Sequence, residues 1–294
     1  MQGLRHLRSA AGLALAILGA AAAAASPASA SVCTGSSENP GVLAGTYSSN
    51  VVIDGICRVN AGAAVVKGNL TVSANAGLVA AYALDDQTGK GSSSLTVDGS
   101  VKVETGASLI VGCEKEFFPC LDGKDLELSS RDKIGGNLTS KRALGVVVHQ
   151  STIGGSVKQT GGGGGDKCKV LGGAFVLADS EVFSAYEDSE IGGELRVTGL
   201  RSCWLGVARV HVERNVDLIN DRLWEQNSID ILANTIKGNL DCQRNSGAWD
   251  SGDEGEESLY PRKPEPNTVE GRRMGQCVLA SPETEGGQPG PGPF

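Results

Sequence analysis

A seven-residue phrase, apolar-x-Gly-x-apolar-x-apolar, recurs along this chain. It reads Val66-Lys-Gly-Asn-Leu-Thr-Val72, Val97-Asp-Gly-Ser-Val-Lys-Val103, Ile134-Gly-Gly-Asn-Leu-Thr-Ser140 and Ile153-Gly-Gly-Ser-Val-Lys-Gln159. It returns as Leu171-Gly-Gly-Ala-Phe-Val-Leu177, Ile191-Gly-Gly-Glu-Leu-Arg-Val197, Val212-Glu-Arg-Asn-Val-Asp-Leu218 and Ile236-Lys-Gly-Asn-Leu-Asp-Cys242. Strict alternation inside each phrase puts every second side chain on one face of a strand. The third positions of the last six phrases are 136, 155, 173, 193, 214 and 238, a period near 20. Alternation repeated at that period predicts an all-β fold, a single-stranded parallel β-helix (β-solenoid) with coils of about 20 residues. The crossover preference of parallel strands makes it right-handed. A β-sandwich also repeats strands and turns, but its strands need not keep one phrase at one period.

In this register Leu138, Val157, Phe175, Leu195, Val216 and Leu240 stack inward, and Thr139, Lys158, Arg196 and Asp217 face water. Four residues before the third position stand Asp132, Ser151, Ser189 and Asn234, turn formers whose side chains bond nearby backbone. Lys169 and Val210 break that column, and Arg214 replaces the glycine of its phrase. The wider steps, from 68 to 99 and from 99 to 136, predict looped-out insertions at Asp85 to Ser94 and at Gly112 to Lys133, with room for a hidden coil in the second. A further half-coil is expected through Val51 to Val59. After Gln243 the phrase stops. The chain then divides into a signal segment (1–30), a solenoid (31–242), a cap with an acidic loop (243–280) and a Pro/Gly-rich disordered tail (281–294).

Composition sets the compartment. Arg5, His6 and Arg8 precede an apolar Ala-rich run, and Ala28-Ser29-Ala30 offers small residues for cleavage, the pattern of a removable secretory signal. All eight cysteines (Cys33, Cys57, Cys113, Cys120, Cys168, Cys203, Cys242 and Cys277) lie beyond it. An even count in an exported chain reads as disulfides. Eight cysteines allow 105 pairings; joining neighbours closes the shortest loops, and Cys242 with Cys277 would clamp the last coil. There is no Cys-x-x-Cys, and only His149 and His211 remain after cleavage, a poor supply of zinc ligands. The formal net charge of -8 argues against a nucleic-acid binder, which needs a basic face.

The C-terminal part carries a resemblance. Gly238-Asn-Leu-Asp-Cys242, Pro266-Asn-Thr-Val-Glu-Gly271 and Gly275-Gln-Cys277 are similar to the ending of uncharacterised secreted β-helix proteins of high-GC Gram-positive bacteria. The Gly-x-Leu phrases also resemble those of bactofilin-like, polymer-forming β-helix proteins. Lys237 stands where that ending usually has Gly, and the acidic insert is longer. The resemblance implies an extracellular β-helix and no reaction.

No catalytic, cofactor-binding or metal-binding set emerges from the motifs. Gly161 to Gly165 lacks the Gly-Lys-Ser/Thr of a phosphate loop and reads as a flexible corner. The acidic run 250–257 lacks EF-hand spacing and reads as a solvated loop. Asp85-Asp86 resembles a carboxylate pair for glycoside hydrolysis, but reads better as a polar loop tip. His149 and His211 lie outside any triad context and belong on strand faces. Trp204, Trp224 and Trp249 offer stacking area for sugar rings, with edge packing the plainer reading. Asn69-Leu-Thr71 and Asn137-Leu-Thr139 fit the glycosylation pattern but fall within the repeated strands.

The expectation is therefore a secreted structural or cell-surface-associated β-helix protein, a rigid spacer or display surface without cofactor or identified catalytic activity. The alternative is a carbohydrate-binding or polysaccharide-active β-helix protein. The partners implied are cell-wall or environmental polysaccharide and, through the solenoid ends, a second copy of the chain. Neither nucleic acid nor a membrane span in the mature chain is expected.

Overall fold

The computed structural model describes residues 30–115, 118–122, 128–165, 167–168, 172–224, 228–246, 249–250 and 267–278. Residues 1–29, where the signal segment is expected, the tail 281–294 and the acidic run beyond Asp250 lie outside the described residues. The chain forms a parallel β-helix with three long faces. Sheet A has ten strands, from Ser31–Cys33 to Arg273–Gly275, and sheets B and C have nine each. Every neighbouring pair in the three sheets is parallel and in register, as Leu138 on Val157 and Val157 on Leu195 show. Among the described residues no helix is long and apolar enough to cross a membrane.

Alternation does what the pattern requires in sheet A. Leu138, Val157, Leu195, Val216 and Leu240 are buried in one column, while Thr139 and Lys158 point out. Two polar residues also point inward. Gln159 donates to Ser184 Oγ at 3.0 Å and accepts from the Tyr186 hydroxyl at 2.8 Å, while the buried Ser140 hydroxyl has no hydrogen-bond partner.

The turns carry their own ladders. At the bend from sheet C to sheet A, the fourth residue of the phrase caps the next rung. Asn69 N–H donates to Asn50 Oδ1, Ser100 to Asn69, Asn137 to Ser100 Oγ and Ser156 to Asn137, at 2.8–3.0 Å. The Asn69 and Asn137 amides are thus part of the frame. The glycine before them is needed for close approach: a Cβ on Gly99 would lie 2.6 Å from the Gly68 carbonyl oxygen. At the bend from sheet B to sheet C, Asp132, Ser151, Ser189 and Asn234 form the predicted column and are buried. Ser151 N–H donates to Ser189 Oγ, and Val210 N–H donates to Asn234 Oδ1.

Four expectations change. Phe175 is not a rung of sheet A. Val157–Thr160 pairs directly with Leu195–Thr198, and Gly173–Val176 is a 3-10 turn inside an insertion spanning 161–183. The phrase around Gly173 satisfies the local pattern but packs on the outside of the coil. No hidden coil fills the second wide step, because Val101–Val103 pairs directly with Leu138–Lys141. The segment at Val51 belongs to a full coil, with Val51–Ile53 in sheet A, Ile56–Arg58 in sheet B and Ala63–Val66 in sheet C. The sheets also continue past Gln243: Trp249–Asp250, Thr268–Val269 and Arg273–Gly275 add one more strand to each.

Sheet B differs from the other two. Its strands Gly77–Ala80, Ser108–Val111, Gly145–Val148, Ser184–Glu187 and Leu205–Ala208 are buried on both faces. Three insertions, 81–93, 112–132 and 161–183, build a second apolar cluster on its outer side with Tyr82, Phe118, Phe175, Phe183 and Trp204. Phe175 lies on a glycine: a Cβ at Gly145 would sit 2.5 Å from its ring. Disulfides pin the cover. Cys113–Cys120 shapes the second insertion and Cys168–Cys203 ties the third to the strand side. Cys33–Cys57 and Cys242–Cys277 sit at the first and last coils, so each cysteine pairs with its neighbour in sequence. Four disulfides suit an oxidising, extracellular environment.

Candidate site under the second insertion

The outer-side residue at the C-terminal end of a strand of sheet B, whether its last residue or the one after it, stands at the entrance to the bend. On two adjacent rungs these residues are His149 and Glu187, fixed side by side because Val148 pairs with Tyr186. The next residue on each rung takes a left-handed conformation, with Gln150 at φ 44°, Asp188 at 48° and Arg209 at 52°. These folded-back residues bring Asp188 and Arg209 alongside the first column.

His149 and Glu187 are fully buried. His149 Nε2 lies 3.6 Å from Glu187 Oε2, and Nδ1 lies 4.0 Å from Asp188 Oδ2. Both distances are too long for hydrogen bonds, and neither ring nitrogen has a hydrogen-bond partner. Glu187 Oε1 also lacks one. Arg209 donates to both Asp188 oxygens at 2.6 and 2.7 Å and to Glu187 Oε2 at 3.3 Å. Phe118 from the second insertion stacks on the imidazole, with ring centroids 4.4 Å apart and planes 9° from parallel. Gln150 donates to Glu114 Oε2 at 2.6 Å, which holds that insertion against the site. On the next rung Gly206 leaves room for the carboxylate: a Cβ there would sit 2.6 Å from Glu187 Oε1. Trp204 closes that side and donates its indole N–H to Asp230 Oδ2 at 2.7 Å.

Burial disfavours charge on both partners. It pushes Glu187 up to about 8, with Asp188 and Asp230 adding to the rise and Arg209 opposing it. It pulls His149 down to about 3, with the Arg209 charge adding to the fall. A neutral imidazole with a free lone pair beside a carboxyl that holds its proton is the resulting state at neutral pH.

The other sequence candidates scatter. His211 is exposed on sheet C and its Nε2 lies 2.9 Å from Glu213 Oε1. Asp85 closes its own turn by accepting from Gln87 N–H and Thr88 Oγ1, and Asp86 accepts from Asn60, so the pair is a loop tip. Gly161 to Gly165 all have positive φ and lead the chain out of sheet A into the third insertion. Trp204 is buried, Trp224 is 47% exposed, and the Trp249 side chain lies outside the described residues, so the described tryptophans do not line one face. Comparison of the chain with family models, with curated proteins and with solved structures finds no match.

Two buried carboxyls in the frame set a pH dependence. Asp132 accepts from Leu95 and Gly112 N–H and from Ser130 Oγ, and Asp221 accepts from Leu200 N–H. Burial nevertheless raises both to about 7. An ordinary aspartate titrates near 3.8. The folded chain therefore binds more protons at these two groups than the unfolded one between those values, so the stability they contribute is full below about 4 and is lost as pH rises through about 7. Glu187 acts with the same sign. The lowered His149 opposes them below its ordinary 6.5. The melting temperature is expected to fall from pH 6.5 to pH 8, measured by circular dichroism in one buffer series; a rise across that range contradicts the assignment.

Proposed function

We propose that this chain is a secreted structural solenoid of the cell surface or its surroundings, a rigid spacer or display surface. The observation that carries this reading is the sealing of sheet B. Its outer face is apolar, and the chain covers it with its own insertions and two disulfides. What sheets A and C then present to water is mainly short polar and charged side chains such as Thr139, Lys158, Glu190 and Thr235. The disulfides at both ends support a part built to persist outside the cell. The similarity of the ending to secreted high-GC Gram-positive β-helix proteins belongs to the same proposal.

The polysaccharide reading makes a different demand, an open stacking surface, and exposed Trp224 is the observation in its favour. One experiment separates the two. Disulfide-intact protein is incubated with cell-wall and plant glycans, and both retention and release of reducing ends are measured. A spacer retains none and releases none. Saturable retention that is lost in Trp224→Ala, or any release of reducing ends, overturns the structural reading. Localisation is tested by fractionating producing cells, where the protein should appear in the envelope or the medium.

A further inference from the structure

We propose that His149, Glu187 and Asp188 form a binding site for one divalent first-row transition-metal ion, with zinc the best-suited probe. The argument starts from His149. A fully buried imidazole normally spends at least one nitrogen on a hydrogen bond, yet neither nitrogen here has one. Each lies within 4.0 Å of a carboxylate oxygen, and candidate ligand atoms, one from each of the three side chains, lie within 4.8 Å of one another. The separation of 3.6 Å between Nε2 and Glu187 Oε2 is long for a hydrogen bond. It matches two ligands of one ion: bonds of about 2.1 Å at a tetrahedral angle place donor atoms about 3.4 Å apart.

The fold supplies the rest of such a site. Adjacent rungs of a parallel sheet are spaced about 4.8 Å apart, so side chains in one outward column converge on a shared ion without backbone change. The left-handed residue Asp188 brings a third ligand, an oxygen from the next column. Arg209 orients Asp188 through two hydrogen bonds, and the stacked Phe118 fixes the imidazole plane. Phe118, Trp204 and the Cys113–Cys120 insertion keep the surroundings apolar, and Asp188 and Arg209 form the rim that meets water. One imidazole with two carboxylates is a donor set for zinc, manganese, iron or cobalt and a poor one for calcium, which prefers oxygen alone. The ion would bridge two coils beneath the insertion.

The test uses untagged, disulfide-intact protein in non-reducing buffer, stripped with a chelator and dialysed against zinc. One zinc per chain should be retained, with a raised melting temperature. His149→Gln and Glu187→Gln should weaken binding at least tenfold, and His211→Gln, at the exposed imidazole, should not. Because the buried variants risk misfolding, two further measurements stand beside them. Asp188→Asn at the rim should abolish the zinc-induced rise in melting temperature, read against the variant's own zinc-free melting curve. Zinc-edge absorption of the His211→Gln protein should show one imidazole and no sulfur. No retained zinc, an imidazole-free spectrum, or affinity lost only in His211→Gln overturns the site.

Discussion

Leu195→Asp is expected to abolish the folded state, while Arg196→Asp leaves it nearly intact. The two residues are neighbours on one strand and differ only in the face they occupy. Leu195 is fully buried between Val157 on one rung and Val216 on the other. Removing such a side chain costs roughly 2–5 kcal/mol, and an unpaired carboxylate in the core adds a further penalty. In a solenoid each coil is stabilised through its neighbours, so a failed rung near the middle removes support from both sides. Arg196 is 39% exposed and its partner Asp217 is 3.9 Å away. Such a surface pair is worth about 0–1 kcal/mol, and a new carboxylate beside Asp217 adds little in water. Secreted yield and thermal melting of the two variants decide the matter. Similar losses in both would mean that the strand faces are assigned wrongly.

That register was legible because the phrase constrains both halves of the problem. Its alternation separates Leu195 from Arg196, and its period places Leu195 beside Val216. The same phrase misplaced Phe175. Leu171 to Leu177 has the apolar positions of a rung, and periodicity alone does not distinguish a strand inside the coil from a turn packed on its outer face. The discriminating residue was in view. Asn69, Ser100, Asn137 and Ser156 hold the fourth position where a side chain must cap the next rung, whereas the phrase at 173 has Ala174, which has no polar group to offer. Glu194 also departs from the column, so the criterion needs the five-glycine run and Cys168 beside it to decide.

The candidate site was hidden by that same misreading. His149 and Glu187 are 38 positions apart, and counting Phe175 as a rung puts a whole coil between them. With the insertion removed, each stands six residues before the third position of its phrase, at Gly155 and Gly193, and the two fall on adjacent rungs. Ser151 and Ser189 keep the matching offset of four and confirm the alignment through their own hydrogen bond. Phe118 and Arg209 had no such signal. The first reaches the site through an insertion and the second through a left-handed bend, and neither follows from alternation.

The C-terminal coil should come loose when its clamp is removed. Cys242 ends the last full phrase, at the position held by Val197 and Leu218 in earlier coils, and Cys277 follows the final strand of sheet A. Both are fully buried and joined, closing a separation of 35 residues. In the chain-entropy view a loop of that size stabilises by roughly 3–4 kcal/mol. Arg272 N–H also donates to Asn239 Oδ1 at 2.9 Å, and Arg273 donates to the Asn267 carbonyl at 2.8 Å. Among the described residues Arg273–Gly275 has a sheet partner on one side only, and the strand is partly exposed. Asn245 helps, donating its N–H to Gln276 Oε1 while Gln276 Nε2 donates to the Asn245 carbonyl, but two hydrogen bonds contribute about 1–3 kcal/mol. The double variant Cys242→Ser, Cys277→Ser is therefore expected to open Arg272 and Arg273 to trypsin while the central coils resist. The freed strand Leu240–Gln243 would then present an unpaired edge, so the cut protein should associate at concentrations where the parent does not. Limited trypsinolysis followed by mass measurement reads the first effect, and light scattering reads the second. Cutting spread evenly along the chain, or none at Arg272 and Arg273, would show that the clamp is not what holds the last coil.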